Sequence, residues 1–200
     1  MIVVALTGSI GMGKSVAAGD LRRLGAVVHD ADAVVRRLIG RGGLAVPVIE
    51  KAFPGVVRDG AVARDLLGAK VFADPAALKR LEAILHPLVR QDERRALGIA
   101  RRQRRKVVVL DIPLFYETPD PDRVDAVIVM TAPAFLQRAR VLRRPGMTAE
   151  RLAAVLARQI PDLEKRRRAD FVVPTGLGHA FSFRRLSAIM RKLRRDGCRG

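Results

Sequence analysis

The sequence is poor in cysteine and in aromatic residues, and it has no long apolar run. Its 200 residues include one cysteine, Cys198, one tyrosine and no tryptophan. A lone cysteine excludes a disulfide framework and a cysteine-based metal cluster, which fits a reducing compartment. No apolar stretch approaches the roughly 20 residues of a membrane span, and Met1 leads directly into a strand-like run. We therefore expect an untargeted cytoplasmic protein without a membrane partner.

Acidic residues are also scarce. The chain has 38 Lys and Arg against 20 Asp and Glu, a formal net charge of +18. Such an excess favours polyanionic partners in general without identifying one. Nucleic acid is one possibility, but the phenylalanines are not interleaved with the basic runs as stacking platforms. The runs at 101–106 and 191–195 are typical of solvated helix faces, so we do not expect nucleic acid as a partner.

Residues 8–15, GSIGMGKS, carry the strongest motif of the chain. They match the phosphate-binding pattern G-x-x-x-x-G-K-[ST] and stand between an apolar, strand-like run and an alanine-rich helical segment. Glycines let backbone N–H groups turn inward to form a nest for phosphate oxygens. The helix that begins near Gly13 adds its unpaired N–H groups and the positive end of its dipole.

Two side chains of this motif complete a nucleotide site. Lys14 would reach the terminal phosphates as a point charge, and the Ser15 hydroxyl would bind a Mg²⁺ ion already held by phosphate. The predicted nucleotide-binding residues of the loop are Gly11, Met12, Gly13, Lys14, Ser15 and Val16. The expected cofactors are ATP and Mg²⁺.

The hydrophobic pattern predicts a single α/β domain with a parallel sheet. Continuous apolar runs at 2–6, 27–28, 107–110, 127–130 and 171–173 are typical of strands buried on both faces. Between 75 and 88 the apolar positions have helical spacing, and Pro87 is expected to kink or restart that helix. A basic helix over 183–193 ends the pattern. No internal repeat and no second phosphate loop are present in the sequence.

Two acids, Asp30 and Asp32, follow the second predicted strand. Ligand loops of such units meet at the carboxyl ends of the strands, so both acids should face the crevice of the phosphate loop. One carboxylate could accept a proton from an attacking hydroxyl, and the other could hold metal through water. Helix capping would account for one of the two acids. We expect His29 to be a packed residue at the end of its strand.

The order of several further motifs resembles the dephospho-coenzyme A kinase family. The resemblance covers nearly the whole chain and is carried by ALTGSIGMGKS, LGAVVHDAD, DGAVARDLL with VFADP, LEAILHPLV, IPLFYE, QRARVLRR, and Gln159 followed by ADFVV. It implies a three-layer P-loop kinase fold with a helical substrate-binding insertion at about 33–100 and a helical lid at about 137–166. It also implies that Arg64 and His86 border the acceptor site.

The remaining site residues lie at the later strands and in the lid. Asp111, after the strand at 107–110, resembles the magnesium-associated aspartate of many P-loop proteins. Arg140 and Arg144, four residues apart, should share one helix face and neutralise the transferring phosphoryl group. Thr148 is the expected N-cap of the next helix. The sequence departs from the family pattern at two places. One is Pro145, which affects the expected geometry of the lid. The other is Pro174 with Thr175, which affects the expected contacts with adenine.

The resemblance, together with these residues, implies a kinase that moves the γ-phosphoryl group of ATP to the ribose 3′-hydroxyl of dephospho-coenzyme A, and we expect it to be a monomer. In that reaction Asp32 deprotonates or orients the hydroxyl, and Asp30 helps to bind the acceptor. A nucleoside or nucleoside monophosphate kinase is the nearest alternative. A nucleotide switch or an RNA-stimulated NTPase is a second alternative, favoured by the net charge. A non-catalytic basic adaptor would leave the phosphate loop and the acids unexplained.

Overall fold

The computed structural model describes residues 1–71, 74–117 and 124–196. Cys198 and part of the VFADP segment lie outside these residues. The chain divides into two compact units, Met1–His29 with Ala100–Gly200, and Asp30–Ile99. The assignment of 33–100 as a substrate-binding insertion and of 137–166 as a lid remains a prediction.

The first unit contains a parallel sheet with helices. Its strands are β1 (Ile2–Thr7), β2 (Val27–Asp30), β5 (Val107–Asp111), β6 (Ala126–Thr131) and β7 (Phe171–Pro174). Its helices are α1 (Lys14–Arg23), α6 (Ala134–Leu142), α7 (Ala149–Ala157), α8 (Asp162–Arg168) and α9 (His179–Asp196), with a 3-10 turn at Phe115–Glu117. The last residues of helix α5 (Pro75–Arg102), from Ala100 onward, also belong to this unit.

The strand order β2-β5-β1-β6-β7 places β1 in the middle of the sheet. β1 pairs in parallel with β5 and with β6, and β6 pairs in parallel with β7. Leu6 stands in register with Asp111, so the residues that follow β1 and β5 emerge at the same edge. This register brings the phosphate loop beside the carboxyl end of β5.

Apolar side chains on both faces hold this sheet between helices. β5 and β6 are buried along their whole length, as expected for strands covered on both sides. Leu21 of α1 and Leu186 and Met190 of α9 pack in one cluster with Val4 and Ile128 of the sheet. Burial of such side chains stabilises the fold by roughly 1.5–3 kcal/mol each.

The second unit is helical with one short hairpin. It contains α2 (Ala31–Ile39), α3 (Val46–Ala52), the antiparallel pair β3 (Val57–Arg58) and β4 (Ala61–Val62), α4 (Arg64–Val71) and most of α5. Its own apolar cluster includes Leu38, Ile49, Phe53 and Leu67. This separate core explains why residues 30–99 form a compact unit.

Helix α5 differs from the sequence expectation. It runs without a break from Pro75 to Arg102, with Pro87 inside it, so the helix does not restart at Pro87, and the alternative of a kink there stays a prediction. An internal proline costs a helix about 3 kcal/mol. Leu81, Ile84, Leu85 and Leu88 pack against the apolar cluster of the second unit on both sides of the proline. Their combined burial exceeds that cost.

The predicted fold class is confirmed. The five apolar runs that suggested strands all form strands of one sheet, and the helices accompany them as an α/β fold requires. Helix α9 begins at His179, four residues before the expected start. Within the described residues, no helix combines the length and the apolar character needed to cross a bilayer.

Candidate active site

The phosphate loop lies between β1 and α1, as the motif requires. Gly11 and Gly13 have φ values of 78° and 87°, in the left-handed region that favours glycine. Gly13 is the N-cap of α1, and no side chain of the described residues caps that helix end. The first N–H groups of α1 are therefore available to an anion, with the positive end of the helix dipole behind them.

The neighbours of the loop leave no space for side chains at two of its glycines. A Cβ atom on Gly8 would lie 2.7 Å from the carbonyl oxygen of Met130, and one on Gly11 would lie 2.6 Å from Cγ2 of Val141. The backbone can therefore approach a ligand only as long as these positions are glycine. The side chain of Met12 is buried and its Sδ accepts a hydrogen bond from the Ala132 amide at 3.1 Å, so Met12 can offer only its backbone.

We predict opposite effects for two Gly-to-Ala changes. Gly11→Ala should lower the free energy of unfolding by roughly 1–3 kcal/mol, because alanine is strained at this φ and its Cβ meets Val141. Gly19→Ala, inside α1 with open space around its Cβ, should raise that free energy by about 0.5–1 kcal/mol. Urea unfolding curves of the two variants measure both values. Equal stability of the two variants would contradict the described loop conformation.

Lys14 and Asp111 form an ion pair at the sheet edge. Lys14 Nζ lies 2.5 Å from Asp111 Oδ1, and both side chains are largely shielded from solvent. The pair holds the ammonium group beside the loop, where the terminal phosphates of a nucleotide would bind. Asp111 thus has a positioning contact with Lys14 in addition to its predicted association with metal.

The donor set at this edge suits a magnesium ion that phosphate oxygens help to hold. Ser15 stands exposed in the first turn of α1, and Asp111 supplies a carboxylate after β5. Hydroxyl and carboxylate oxygens are the ligand types that Mg²⁺ prefers. Across the described residues, no cluster of three or more His, Cys, Asp or Glu could bind a metal without such help.

Arg140, on α6, contacts the phosphate loop. Its Nη1 donates to Thr175 Oγ1 at 2.8 Å and to the Gly11 carbonyl at 3.4 Å, and its Nη2 donates to the Thr175 carbonyl at 2.9 Å. These three acceptors are uncharged, so they hold the guanidinium group in place without neutralising its positive charge. The charge can therefore act on a phosphoryl group at the loop.

Arg144 does not share a helix face with Arg140, so that prediction is wrong. Helix α6 ends at Leu142 with Arg143 as its C-cap, and the Arg144 amide donates to the Val141 carbonyl in a closing turn. The cause is Pro145, because a residue before proline is disfavoured in helical conformation. Pro145, noted as a departure from the family pattern, thus shortens the helix and leaves Arg144 exposed in a turn.

The helix after this turn agrees with its predicted cap. Thr148 is the N-cap of α7, and its Oγ1 accepts from the Arg151 amide at 3.3 Å. The hydrogen bond from the Thr148 side chain lowers the pKa of Glu150, which lies in the first turn of the same helix. A carboxylate there is also favoured by the helix dipole.

Thr175, the second departure, packs directly against the phosphate loop. Its hydroxyl lies 3.1 Å from the Met12 carbonyl and 3.2 Å from the Thr131 carbonyl. A Cβ atom on Gly13 would lie 3.2 Å from the Thr175 methyl group. The side chain therefore supports the loop from the β7 side and orients Arg140, a role that the sequence did not reveal.

Two glutamines that were not predicted as site residues bind the loop at Ile10. Gln137 Nε2 donates to the Ile10 carbonyl at 2.8 Å, and the Ile10 amide donates to Gln159 Oε1 at 3.2 Å. Both residues lie within sequence blocks of the resembled family. Their position in these blocks could have marked both glutamines as candidates, but only the structure shows what the two side chains contact.

The two acids after β2 have different local roles. Asp30 ends the strand and caps α2, since its Oδ1 accepts from the Ala33 amide at 2.8 Å. Asp30 Oδ2 also lies 3.8 Å from Arg36. Asp32 is exposed in the first turn of α2, where its carboxylate is open to a ligand. Capping thus accounts for one acid, as expected, and leaves Asp32 as the candidate base.

The other residues carried over from the resemblance are accessible. Arg64 is the first residue of α4, and His86 lies in α5 next to Pro87; both are exposed. Val16 is also exposed in the first turn of α1. His29 is buried at the end of its strand, as predicted. The placement of Arg64 and His86 at the acceptor site remains a prediction.

The PLFYE segment contacts both the end of β1 and the residues around α8. The Thr7 hydroxyl donates to the Pro113 carbonyl at 3.0 Å, and Phe115 is buried. Burial, helped by the Asp170 carboxylate and opposed by Arg168, raises the pKa of Tyr116 to about 12. The phenol is therefore neutral at physiological pH.

Glu117 and Lys165 form the most buried ion pair of this region. Lys165 Nζ lies 2.9 Å from Glu117 Oε1, the lysine is fully buried, and the same oxygen accepts from the Ile160 amide at 2.9 Å. The ammonium group is not aligned as a hydrogen-bond donor, so the contact is electrostatic. The pair attaches α8 to the segment after β5.

Removing one member of this pair should be costly. Lys165→Met should lower the free energy of unfolding by about 3–5 kcal/mol, because a buried Glu117 carboxylate would lose its counter-charge. The double variant Glu117→Gln with Lys165→Met should recover most of that loss, since it removes the charge and keeps an acceptor for Ile160. Denaturant unfolding measures both variants. A loss below about 1 kcal/mol in the single variant would show that the pair is solvated.

Comparison with known proteins identifies the family. The family described as dephospho-CoA kinase has a model that matches residues 2–177. The dephospho-CoA kinase of Paramagnetospirillum magneticum is 65% identical over 166 residues, which are 83% of this chain and 78% of that protein. The dephospho-CoA kinase of Mesorhizobium japonicum is 55% identical over 194 residues, covering 97% of this chain and 98% of that protein.

Solved structures agree with the sequence relatives. The dephospho-CoA kinase of Campylobacter jejuni superposes with a TM-score of 0.72 at 25% identity and covers 97% of this chain and 98% of its own. A shikimate kinase from Acinetobacter baumannii, at 18% identity and a TM-score of 0.52, shares the fold alone. Together with the phosphate loop and the Lys14–Asp111 pair, these matches confirm the resemblance read from the motifs: the chain belongs to the dephospho-CoA kinase family.

Proposed function

We propose that the protein transfers the γ-phosphoryl group of ATP to the ribose 3′-hydroxyl of dephospho-coenzyme A, giving coenzyme A and ADP. The observation that carries this proposal is a phosphate loop with its lysine held in place by Asp111, in a chain of the dephospho-CoA kinase family. This reaction is the last step of coenzyme A biosynthesis.

The loop and Lys14 would bind the nucleotide. The amides that open α1 would donate to the phosphate oxygens, and the Lys14 ammonium would neutralise charge on the β and γ phosphates. Since the Lys14–Asp111 pair fixes the ammonium before the nucleotide binds, little reorganisation is needed during transfer. Thr175 would help to keep the loop backbone in its concave form.

Ser15 and Asp111 fit the requirements of a magnesium ion carried by the nucleotide. Held there, Mg²⁺ would supply positive charge that offsets the charge of the terminal phosphates. Ser15 would contribute its hydroxyl from the first turn of α1, and Asp111 would contribute its carboxylate directly or through water. Mg²⁺ is therefore part of the proposal.

Asp32 would act on the acceptor. Its carboxylate would accept the proton of the 3′-hydroxyl while that oxygen bonds to the γ-phosphorus atom. The bond from the γ-phosphorus to the bridging oxygen would break, and ADP would leave with the electron pair. Asp30, Arg64 and His86 would position the acceptor around this carboxylate.

Arg140 would stabilise the transferring group. Its contacts with Thr175 and Gly11 place its positive charge at the loop. Charge develops on the transferring oxygens during phosphoryl transfer, and a fixed guanidinium offsets it without new reorganisation. Arg144, exposed in the turn before Pro145, would add to the field only when the lid closes. A monomeric state and a cytoplasmic location complete the proposal.

A comparison of acceptors tests this function. ADP formation from Mg-ATP should depend on dephospho-coenzyme A and should be negligible with adenosine or AMP. Stimulation by adenosine or AMP instead would indicate a nucleoside or nucleotide kinase. Stimulation by RNA that fades as salt increases would assign the +18 charge to nucleic acid and would overturn the proposal.

A further inference from the structure

Both polar backbone groups of Ile10, a residue of the phosphate loop, are bound by glutamine side chains. Gln137 donates to the Ile10 carbonyl at 2.8 Å, and Gln159 accepts from the Ile10 N–H at 3.2 Å. No part of the proposed chemistry uses either glutamine. The two contacts nevertheless fix both polar groups of this residue.

The two glutamines come from opposite ends of one segment. Gln137 is buried in α6, and its own amide donates to the Pro133 carbonyl at 3.0 Å. Gln159 follows α7, and its amide donates to the Leu156 carbonyl at 3.1 Å. A backbone hydrogen bond therefore fixes the main chain at each of the two glutamines. The residues between them, 138–158, include α7 and the turn that carries Arg144.

Holding Ile10 determines the shape of the loop that follows it. The Met12 amide donates to the Ser9 carbonyl at 3.2 Å, which closes a tight turn around Ile10 and Gly11. Arg140, from the same helix as Gln137, reaches the Gly11 carbonyl. Since a rotated Ile10 peptide would turn the next amides away from the anion site, the glutamine contacts maintain the nest.

We propose that Gln137 and Gln159 are positioning residues that hold the phosphate loop ready for ATP and couple it to the segment between them. This inference rests on the proposed function, because ATP binding is its readout. Movement of that segment would shift Gln137 or Gln159 and thereby alter the loop. The coupling is reciprocal, so nucleotide bound at the loop favours the position of the segment that retains both contacts.

The opposite directions of the two hydrogen bonds give a sharp test. Glutamate can replace Gln159 as an acceptor, but it cannot donate to the Ile10 carbonyl in place of Gln137. The same substitution should therefore be tolerated at 159 and harmful at 137. Leucine removes both hydrogen-bonding groups and should be harmful at either position.

Steady-state kinetics of five variants would measure the effect. Gln137→Leu and Gln159→Leu should each raise KM for ATP by roughly 3–10-fold, the equivalent of one lost hydrogen bond, with KM for dephospho-coenzyme A unchanged. At high salt, which screens the added charge, Gln159→Glu should stay within about twofold of the unmodified protein. Gln137→Glu should be at least as impaired as Gln137→Leu. Gln91→Leu, exposed in α5, is the control and should behave as the unmodified protein.

Hydrogen exchange gives a readout that does not depend on turnover. Exchange of the Ile10 amide, followed by NMR, should accelerate in Gln159→Leu and return toward the original rate in Gln159→Glu. If an activity change reflected general destabilisation, both variants would accelerate exchange throughout the sheet. Faster exchange that is confined to the Ile10 amide in Gln159→Leu, and that Gln159→Glu reverses, would support the positioning role. This result would stand even if the variants at position 137 do not fold.

The outcomes separate this inference from the proposed function. If the unmodified protein has no activity with ATP and dephospho-coenzyme A, the proposed function fails. If the unmodified protein is active and both leucine variants keep its KM for ATP, the positioning role is overturned. Equal impairment of Gln159→Glu and Gln159→Leu, in kinetics and in Ile10 exchange, would also overturn it.

Discussion

The Asp32→Asn protein is expected to fold and to bind ATP, yet to turn over roughly 10²–10⁴-fold more slowly than the unmodified enzyme. Asparagine has nearly the same size and can still accept a hydrogen bond from the acceptor hydroxyl. It cannot take up the proton of that hydroxyl at neutral pH. The decrease should therefore appear in kcat, with little change in KM for ATP.

Because Asp32 is exposed, the substitution should change catalysis without changing stability. The side chain is exposed in the first turn of α2, so its loss should leave the core of that unit intact. Asp65→Asn is a matched control, because Asp65 is also an exposed acid in the first turn of a helix, α4. Asp65→Asn should retain the original kcat. If Asp32→Asn also retains it while binding ATP normally, Asp32 is not the base.

Replacement of Lys14 should have the other large effect. Lys14→Met removes the charge that meets the β and γ phosphates and should lower kcat/KM for ATP by roughly 10²–10³-fold. It also leaves the Asp111 carboxylate, which is 5% exposed, without the ammonium 2.5 Å away. Repulsion between that carboxylate and the triphosphate would add to the loss.

The repulsion can be separated from the loss of the lysine. In Lys14→Met with Asp111→Asn, the carboxylate that would repel the triphosphate is gone, so ATP affinity measured by calorimetry should partly recover while kcat stays low. Lys79→Met, an exposed lysine of α5, is the control for removing a positive charge from this basic chain. An unchanged kcat/KM in Lys14→Met would contradict the assignment of the phosphate loop.

Local patterns were sufficient to predict the sheet and the loop. Strands buried on both faces produce continuous apolar runs, and β5 and β6 are such strands. The phosphate loop requires glycine at Gly11 and Gly13 for conformational reasons, so its function is visible in the residue types themselves. Asp30 and Thr148 likewise act as caps, which is a local property of their positions.

Features that depend on distant contacts were not predictable. Pro87 argued for a helix break, but apolar burial on both sides of it maintains one helix. The hydrogen bonds of Gln137 and Gln159 with Ile10 join residues that lie more than 120 positions apart in the sequence. The Glu117–Lys165 pair similarly links two charged residues that, in the sequence, are typical of solvated surface.

Arg144 shows how a noted departure can still be misjudged. Pro145 bears on the predicted geometry of the lid, yet the four-residue spacing of the arginines predicts a helix that continues as far as Arg144, directly before this proline. The restriction that proline places on its preceding residue was sufficient to end α6 earlier. Local backbone rules should therefore be applied before a face is assigned from four-residue spacing.

Single-turnover transfer of labelled phosphate tests the central claim most directly. Excess enzyme with ATP labelled in its γ-phosphate and with dephospho-coenzyme A should yield coenzyme A that carries the label. A 3′-nucleotidase should then release that label completely. Label that appears only as inorganic phosphate, or that resists release by the 3′-nucleotidase, would contradict transfer to the ribose 3′-hydroxyl.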